Sequence, residues 1–283
     1  MSQHPLHGLD VQLINPDIPV GKIKHALFDF DGTISLLREG WPEIMAPVCV
    51  ELICGDTAPT PAIEAEVAQM IDETTGIQTI LQMERLVEMI REHGLVPEDR
   101  IPDAHACKQV YLDRLMVPVR ERIARLESGA LSVEEVTVRG VFRFLELLAE
   151  RGVTLYVFSG TDRDDVRNEA AKVGAAPYFK EIWGALRTVE EYSKEQVIRD
   201  VIAEHDLHGS EILAVGDGPV ELRNVKAVGG IALGVASDEL RGHGWDHSKT
   251  ARLTKAGADI LIPDFTHADE LVAFLFAEGP ATA

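Results

Sequence analysis

The stretch Ile23–Thr33, with the sequence IKHALFDFDGT, joins an apolar run to two carboxylates spaced one residue apart. The run is dense in aliphatic and aromatic residues, and it predicts a buried β-strand over Ile23–Phe30. Asp29 and Asp31 lie at its carboxyl end, where open α/β sheets bind their ligands. Two acids side by side repel each other unless a cation or a proton lies between them. Taken alone, the stretch is also consistent with a solvated turn, because Asp-Gly is a common turn dipeptide.

The rest of the chain alternates strand-like runs with helical periodicity. Further strands are predicted over Val153–Ser159, Glu211–Gly216, Gly230–Val235 and Ile260–Pro263, and a shorter run at Glu181–Ala185 could supply one more. The helices predicted between or after them are Val141–Arg151, Arg163–Val173, Lys194–His205, Pro219–Val228 and His267–Phe276. Strand–helix alternation implies a parallel sheet covered on both faces. The predicted fold class is therefore α/β, with a doubly wound parallel sheet.

About a hundred residues that follow the first strand contain no convincing strand. Their apolar periodicity predicts helices over Trp41–Cys54, Pro61–Glu73, Ile80–His93 and Asp103–Leu126, the last with a break at Pro118. An insertion of this kind is a second, all-helical domain connected through two chain crossings. We therefore predict an α/β core domain of residues 1–34 and 136–283 and an inserted helical domain of residues 35–135.

Composition and charge restrict the classes of function. The 283-residue chain is 46% hydrophobic and 26% charged, as in ordinary soluble globular proteins. Its 47 acidic and 27 basic residues give a formal net charge of −20, which repels nucleic-acid phosphates and anionic lipid. Three cysteines are too few for a disulfide framework, and neither a secretory signal nor a membrane-spanning run is visible. We expect no nucleic-acid or membrane partner and a cytoplasmic location, while the oligomeric state stays open.

Two other predicted strands also end in polar residues. Ser159-Gly160-Thr161 offers a hydroxyl and free backbone N–H groups at a helix start, an arrangement that grips phosphate. The segment GDGPVE, residues 216–221, adds two carboxylates to the same edge of the sheet. Each of these residues alone is also consistent with an ordinary turn or helix cap. The acids brought to this edge are Asp29, Asp31, Asp217 and Glu221. An all-oxygen set without His or Cys suits a hard cation such as Mg2+ rather than zinc.

These motifs resemble those of the haloacid dehalogenase superfamily of aspartyl phosphotransferases. Asp-x-Asp-Gly-Thr and a downstream Gly-Asp-x-x-x-acid occur in the family's order, and the resemblance covers about two-thirds of the chain. It implies that Asp29 is the nucleophile and Asp31 the general acid/base, and that the insertion is the family's helical cap of the first type. The implied phosphate ligands are Thr33, Ser159, Gly160 and a lysine. The implied Mg2+ ligands are Asp29, Asp31 through its carbonyl, Asp217 and Glu221. Many members carry Asp where this chain has Glu221, so its contact with the metal is either direct or through water.

Lys194 and Lys180 are the candidates for the phosphate-site lysine. Lys194 lies in Ser193-Lys194-Glu195-Gln196, which resembles a capping box at the start of a helix upstream of the strand before Asp217. That position places its ammonium near the carboxyl edge of the sheet. Lys180 follows an aromatic pair and fits a solvated surface lysine better. We therefore predict that Lys194 is the catalytic and phosphate-binding lysine.

The resemblance implies Mg2+-dependent hydrolysis of a small phosphomonoester, such as a sugar phosphate, through an aspartyl phosphate. Dehalogenases lack the second aspartate, and phosphonoacetaldehyde hydrolases need a lysine early in the cap, where this chain has only Lys108 much further along. A phosphomutase resembling β-phosphoglucomutase is the main alternative. A phospho-receiver module, which is about half as long and has no cap, and a non-catalytic binding protein are two others.

The cap supplies candidate substrate contacts. Arg38 lies close to the first chain crossing. Helical spacing places Gln78, Gln82 and Arg85 on one polar side of the third cap helix. Each of the four is also consistent with a solvated surface residue. The sequence does not identify the substrate.

Overall fold

The structure, a computed structural model, describes residues 6–186 and 193–277. Within these ranges one sheet has the strand order β1-β7-β6-β5-β2-β3-β4. The strands are β1 (Gln12–Leu13), β2 (His25–Phe28), β3 (Thr154–Asp162), β4 (Glu181–Ala185), β5 (Ile212–Gly216), β6 (Ile231–Val235) and β7 (Ile260–Ile262). Every neighbouring pair is parallel except β1 and β7, which are antiparallel. The predicted parallel sheet is confirmed, with the short edge strand β1 as an addition.

Helices cover both faces of this sheet. Those that precede β3 are α1 (Trp41–Cys54), α2 (Pro61–Glu73), α3 (Thr79–His93), α4 (Ala104–Glu127) and α5 (Val141–Glu150). Those that follow it are α6 (Arg163–Lys172), α7 (Lys194–His205), α8 (Pro219–Ala227), α9 (His247–Lys255) and α10 (Ala268–Leu275). One apolar cluster joins the sheet to α5, α6 and α10, and a second joins its other face to α7, α8 and α9. The doubly wound architecture is therefore confirmed.

The central strand β2 positions the first acidic motif. It pairs in parallel with β3 on one side and with β5 on the other. Its side chains alternate between the two apolar clusters, with Ala26 and Phe28 in one and Leu27 in the other. The pairing continues one residue further, because the Asp29 N–H donates to the Val215 carbonyl at 2.8 Å. Asp29 is thereby fixed at the carboxyl end of a strand that is buried on both faces.

The helices α1–α4 are inserted between β2 and β3 and pack around an apolar cluster of their own, which includes Val48, Met83 and Leu115. The two segments that connect them to the sheet run side by side. The Leu36 N–H donates to the Val136 carbonyl at 2.8 Å, and the Val138 N–H donates to the Ile34 carbonyl at 3.1 Å. The inserted helices are therefore joined to the sheet by two neighbouring backbone segments.

Two sequence predictions about helices differ from the structure. Helix α4 continues through Pro118, where a break was predicted. Proline removes one backbone N–H, but its neighbours Leu115 and Val119 are buried in the helical cluster, and this packing holds the two halves in line. Helix α9 was not predicted, because only Lys249 and Leu253 in it are buried and it lacks an apolar stripe. None of the helices in the described ranges has the length and apolar character of a membrane span.

Candidate active site

Asp29 lies beside a buried lysine at the carboxyl end of β2. The Lys194 Nζ is 2.8 Å from Asp29 Oδ2 and 3.1 Å from Glu221 Oε2. Lys194 is the first residue of α7, where the Ser193 side chain accepts a hydrogen bond from the Gln196 N–H and caps the helix. This local geometry directs the Lys194 side chain toward the end of β2.

The structure places Lys194, and not Lys180, at the acidic motif. The Lys180 Nζ lies 5.8 Å from the centre of the Tyr156 ring and also approaches Glu204 on the surface. Burial raises the pKa of Asp29 well above its ordinary value, and the charges of Glu221 and Asp217 raise it further. The ammonium of Lys194 opposes this shift of the Asp29 pKa. The Asp29 carboxylate therefore depends on nearby positive charge to stay ionised.

The turn between β5 and α8 brings two more acids to Asp29. Asp29, Asp217 and Glu221 offer carboxylate oxygens that all lie within 4.8 Å of one another. Glu221 is fully buried, and its Oε1 accepts a hydrogen bond of 2.8 Å from the Gly218 N–H. A Cβ at Gly216 would lie 2.4 Å from the Glu221 Cγ, so this turn has no room for a larger residue.

This donor set fits a hard divalent cation. Its ligand atoms are carboxylate oxygens, close enough together to share one ion and without a sulfur or imidazole ligand, which suits Mg2+. The Asp31 carboxylate is outside the set. Gly32, at φ 71°, brings the backbone against Asp217, because a Cβ there would lie 2.4 Å from Asp217 Oδ2. The Asp-Gly pair thus packs directly on the downstream acidic motif.

The Asp31 carboxylate faces the end of β3. Its Oδ2 accepts a hydrogen bond of 2.7 Å from the Thr161 Oγ1 and a longer one of 3.5 Å from the Ser159 Oγ. The Thr161 N–H in turn donates to the Ser159 Oγ at 3.0 Å. The other oxygen, Asp31 Oδ1, is buried without a hydrogen-bond partner and lies 3.9 Å from the Arg38 Nε. One oxygen of Asp31 is therefore held by hydrogen bonds, and the other accepts none.

Arg38 is held in place by a buried carboxylate. Its Nε lies 3.0 Å from Glu169 Oε2, and its terminal NH2 group lies 2.7 Å from Glu169 Oε1. Burial alone would lower the pKa of Arg38, but Glu169 and Asp31 raise it above its ordinary value. Both partners are almost fully buried, with side-chain exposures of 7% and 1%. The guanidinium therefore stays charged, and the Glu169 carboxylate holds it in place and balances its charge.

A cavity of about 80 Å3 lies between these strand ends and the inserted helices. From the strand ends it is lined by Asp29, Asp31, Ser159, Gly160, Thr161 and Asp217. Facing them are Arg38 and Trp41, Gln82 of α3, and Tyr111 and Leu115 of α4, together with the segment Thr75–Ile77 and Thr79. This segment packs closely on β3, because a Cβ at Gly160 would lie 2.4 Å from the Ile77 carbonyl oxygen.

Some of the residues expected to bind substrate or phosphate line the cavity, and others do not. Arg38 and Gln82 line the cavity, as do Ser159 and Gly160. Gln78 is buried at the start of α3 but is not among the lining residues. Thr33 is fully buried, and its hydroxyl lies 3.5 Å from Asp217 Oδ1 rather than in the cavity.

The expectation that Arg85 faces the site is wrong. Its guanidinium lies on the outer surface of α3, where NH1 is 3.0 Å from Glu88 Oε2 and 2.9 Å from Glu92 Oε1. Both acids lie further along the same helix, at positions three and seven residues away, so they draw the arginine outward. Gln82 instead turns inward, where its amide donates to the Thr74 Oγ1 at 3.1 Å.

Lys249 and Glu239 also belong to the site, although neither lies in a motif that the sequence predicts to be functional. The Lys249 Nζ is 2.8 Å from Asp217 Oδ2 and 2.5 Å from Glu239 Oε1. Burial alone would lower the pKa of Lys249, but the two carboxylates raise it above its ordinary value. The sequence contains one indication of the position of Lys249. Asp246 caps α9, which starts after the carboxyl end of β6, in the same way that Ser193 caps α7 just before Lys194.

Several solved structures have a similar fold. A predicted phosphatase from Clostridium acetobutylicum is 18% identical with a TM-score of 0.56, over 88% of this chain and 96% of that chain. A predicted phosphoglycolate phosphatase from Haemophilus somnus 129pt is 16% identical with a TM-score of 0.58, over 88% and 97%. A β-phosphoglucomutase from Clostridium difficile is 11% identical with a TM-score of 0.59, over 90% and 97%. At such low identity these likenesses show the fold alone.

The comparison with family models identifies the family. No curated protein matches the chain at a significant level. The model of haloacid dehalogenase-like hydrolases matches residues 23–229, which include β2 with its acidic motif, the inserted helices and the turn that carries Asp217 and Glu221. The resemblance drawn from the motifs is confirmed by this match over most of the chain. The chain therefore belongs to the haloacid dehalogenase-like hydrolase family.

Proposed function

We propose that the protein is a phosphatase that hydrolyses a small phosphomonoester through an aspartyl phosphate on Asp29. The observation that carries this proposal is the contact of Lys194 with Asp29, inside a cluster of acids that fits Mg2+. Asp29, Asp217 and Glu221 would hold the ion, with Asp31 contributing its backbone carbonyl. Bound Mg2+ would supply positive charge that offsets the repulsion between the Asp29 carboxylate and a phosphate dianion.

The first step transfers the phosphoryl group to Asp29. A carboxylate oxygen of Asp29 attacks phosphorus in line, and the bond between phosphorus and the leaving oxygen breaks. Lys194 neutralises charge on the phosphoryl oxygens, which Ser159 and the backbone N–H of Gly160 hold from the end of β3. Asp31 gives its proton to the leaving alkoxide.

The second step regenerates Asp29. Asp31, now ionised, takes a proton from a water molecule that attacks the phosphorus of the aspartyl phosphate, and inorganic phosphate leaves. The arrangement of Asp31 supports this double role. Thr161 fixes its Oδ2 by a hydrogen bond of 2.7 Å, while its buried Oδ1 accepts no hydrogen bond and lies 3.9 Å from the Arg38 Nε. We assign Oδ1 as the atom that gives and takes the proton.

The cavity offers contacts for a leaving group. Gln82 and Thr75 supply polar groups beside the aromatic side chains of Trp41 and Tyr111. We propose a phosphorylated metabolite of sugar-phosphate size as the substrate. We also propose that residues 35–135 act as a cap domain on a core of residues 1–34 and 136–283, since the chain passes between the two parts through two adjacent backbone segments.

Phosphate release from a panel of phosphorylated metabolites tests the activity, with and without excess chelator. We expect free phosphate in Mg2+ and at least a 10²-fold loss on chelation, on the order seen when a main electrostatic element is removed. A phosphomutase, the alternative function, would instead give an isomeric sugar phosphate without phosphate release. Full turnover in excess chelator would contradict the assignment of the metal site.

Intact-mass analysis after acid quench tests the mechanism. Asp29→Asn should never carry a phosphoryl group. Asp31→Asn should accumulate one on Asp29 when given p-nitrophenyl phosphate, because this leaving group needs little protonation while hydrolysis of the intermediate still needs a base. Loss of this base should slow hydrolysis of the intermediate by about 10²–10⁴-fold, the usual contribution of general acid–base catalysis to a rate. A phosphoryl group on Asp29→Asn, or on another residue in Asp31→Asn, would overturn the proposal.

A further inference from the structure

Asp217 approaches a second lysine as well as the acids Asp29 and Glu221. The Lys249 ammonium lies between two carboxylates, 2.8 Å from Asp217 Oδ2 and 2.5 Å from Glu239 Oε1. Lys249 is only 7% exposed. Both of its partners are close to the first acidic motif, since a Cβ at Gly32 would lie 2.4 Å from Asp217 Oδ2 and 3.0 Å from Glu239 Oε1. A fixed positive charge thus sits at the edge of the acidic cluster.

The spacing of these groups is that of carboxylates around a cation. Two acids as close as Asp217 and Glu239 repel each other unless a positive charge lies between them, and the lysine supplies it. Lys194 has the same relation to Asp29 and Glu221, with distances of 2.8 Å and 3.1 Å. The acidic cluster is therefore flanked by two lysines, and each lysine bridges two carboxylates.

Cations have access to Asp217 and Glu239 from outside. A groove of about 500 Å3 between the inserted helices and the loop before α9 is lined by Asp217, Glu239 and Lys249. Its walls carry further acids, among them Glu43, Asp72 and Asp246, which outnumber the lining Arg252 that pairs with Asp72. Such walls raise the local concentration of divalent cations. A vacant pair of carboxylates at Asp217 and Glu239 would consequently be a place where a second cation could bind.

We propose that Lys249 is a positioning residue of the metal centre, whose ammonium takes the place of a second cation between Asp217 and Glu239. The inference rests on the metal site of the proposed function. With Oδ2 engaged by Lys249, Asp217 would present Oδ1, whose one described contact is the long hydrogen bond of 3.5 Å from Thr33, to the ion it shares with Asp29 and Glu221. Lys249 thereby makes the centre a site for one divalent ion and sets which oxygen of Asp217 that ion receives.

The number of bound Mn2+ ions per chain tests the inference without reference to activity. The full chain, free of substrate, is titrated with Mn2+, and the free ion is measured by electron paramagnetic resonance. We expect one ion in the wild type and in Lys249→Arg, which keeps the positive charge. Lys249→Ala and Lys249→Ser each remove the ammonium and leave space, and both should bind two ions.

A double variant assigns the second ion to its ligands. Lys249→Ala combined with Glu239→Gln should return to one ion per chain, because the pair of carboxylates is then incomplete. Folding of each variant is checked by circular dichroism with and without Mn2+. One ion in both folded single variants, or two in the wild type, would overturn the inference. Loss of the fold that high Mn2+ does not restore would count against it as well, since the vacated pair is expected to accept a cation. No Mn2+ bound to the wild type would instead refute the metal site of the proposed function.

Discussion

Lys194 and Lys180 have different surroundings, and the difference predicts different outcomes for the same substitution. Lys194→Met removes the ammonium that contacts Asp29 at 2.8 Å, so the attacking carboxylate and the phosphoryl oxygens lose their nearest fixed positive charge. We expect kcat/KM for p-nitrophenyl phosphate to fall by at least 10²-fold, about the size of the loss when one electrostatic donor is removed.

Lys180→Met is the matched control. Its ammonium lies over Tyr156 and near the surface residue Glu204, away from the acidic cluster. We expect this variant to keep the wild-type kcat/KM and to melt close to the wild-type temperature. An equal loss of activity in the two variants would show that Lys194 has no special role.

The residues that sequence reasoning found have a common property. Asp29, Asp31 and Asp217 come shortly after strongly apolar strands, Ser159 follows the apolar part of β3, and parallel strands bring their carboxyl ends to one edge. Glu239 and Lys249 follow no such strand end directly; they belong to a polar loop and a polar helix, and their approach to Asp217 depends on how that loop folds back. The direction of Arg85 was wrong because the acids three and seven residues further along the same helix, Glu88 and Glu92, were not considered as its partners.

At the scale of elements, the buried strands were easier to predict than the edge strand β1. The buried strands β2, β3, β5, β6 and β7 have continuous apolar runs, which a sheet covered on both faces requires. Strand β1 has only two residues, Gln12 and Leu13, and exists because β7 offers it a free edge. Helix α4 was predicted to break at Pro118, since the sequence does not show that buried neighbours on both sides compensate for one lost hydrogen bond.

The two ends of β2 carry different chemistry. At its first residue, His25 Nδ1 lies 3.2 Å from the Tyr156 hydroxyl, which also lies 3.2 Å from His205 Nε2. The rings of His25 and His205 are 4.5 Å apart between centroids. Burial lowers the pKa of His25, and the neighbouring His205 and Lys180 lower it further, while Glu211 acts in the opposite direction. The fold therefore favours neutral His25.

This lowered pKa predicts how stability depends on pH. Because the pKa of His25 in the fold is below its ordinary value of about 6.5, the unfolded chain takes up the proton first as the pH falls. The stabilisation from neutral His25 is complete above that ordinary value and is lost as the pH falls through the folded-state pKa. We expect the free energy of unfolding, measured in urea, to fall less steeply with decreasing pH in His25→Gln than in the wild type.

The control for this prediction is a histidine at an exposed position. His7→Gln should show the same dependence of unfolding free energy on pH as the wild type, since His7 is exposed near the start of the described residues. If the unfolding free energy of His25→Gln depended on pH as steeply as that of the wild type, His25 would not contribute to the loss of stability in acid.

At the scale of the whole molecule, polar contacts hold the inserted helices against the sheet. The Lys108 Nζ on α4 is 2.5 Å from Asp162 Oδ1, and the Arg252 NH1 on α9 is 2.7 Å from Asp72 Oδ1. Ion pairs that are partly exposed contribute about 0–1 kcal/mol each, so contacts of this kind separate at little cost. The paired segments around Leu36 and Val136 keep the two parts connected. The contacts are thus compatible with opening and closing of the cavity during turnover.

The close packing of Gly160 on the segment around Ile77 predicts the effect of one methyl group. Gly160 does not have a left-handed backbone, so alanine fits its conformation, but the new Cβ would lie 2.4 Å from the Ile77 carbonyl oxygen. The segment around Ile77 must then move away from β3, and the cavity loses its closed form. We expect Gly160→Ala to lower kcat/KM more for the metabolite found in the phosphate-release screen, whose leaving group the cavity residues of the inserted helices are proposed to bind, than for p-nitrophenyl phosphate.

Gly152→Ala separates this effect from a general loss of stability. Gly152 has a φ of 76°, and a Cβ there would meet no atom within 4 Å, so alanine strains the backbone without touching the inserted helices. This variant should melt at a lower temperature and keep the wild-type ratio of kcat/KM between the two substrates. Gly160→Ala should change that ratio, because leaving-group recognition requires the inserted helices to reach the strand ends. An unchanged ratio in Gly160→Ala would mean that the close contact at Ile77 has no part in substrate recognition.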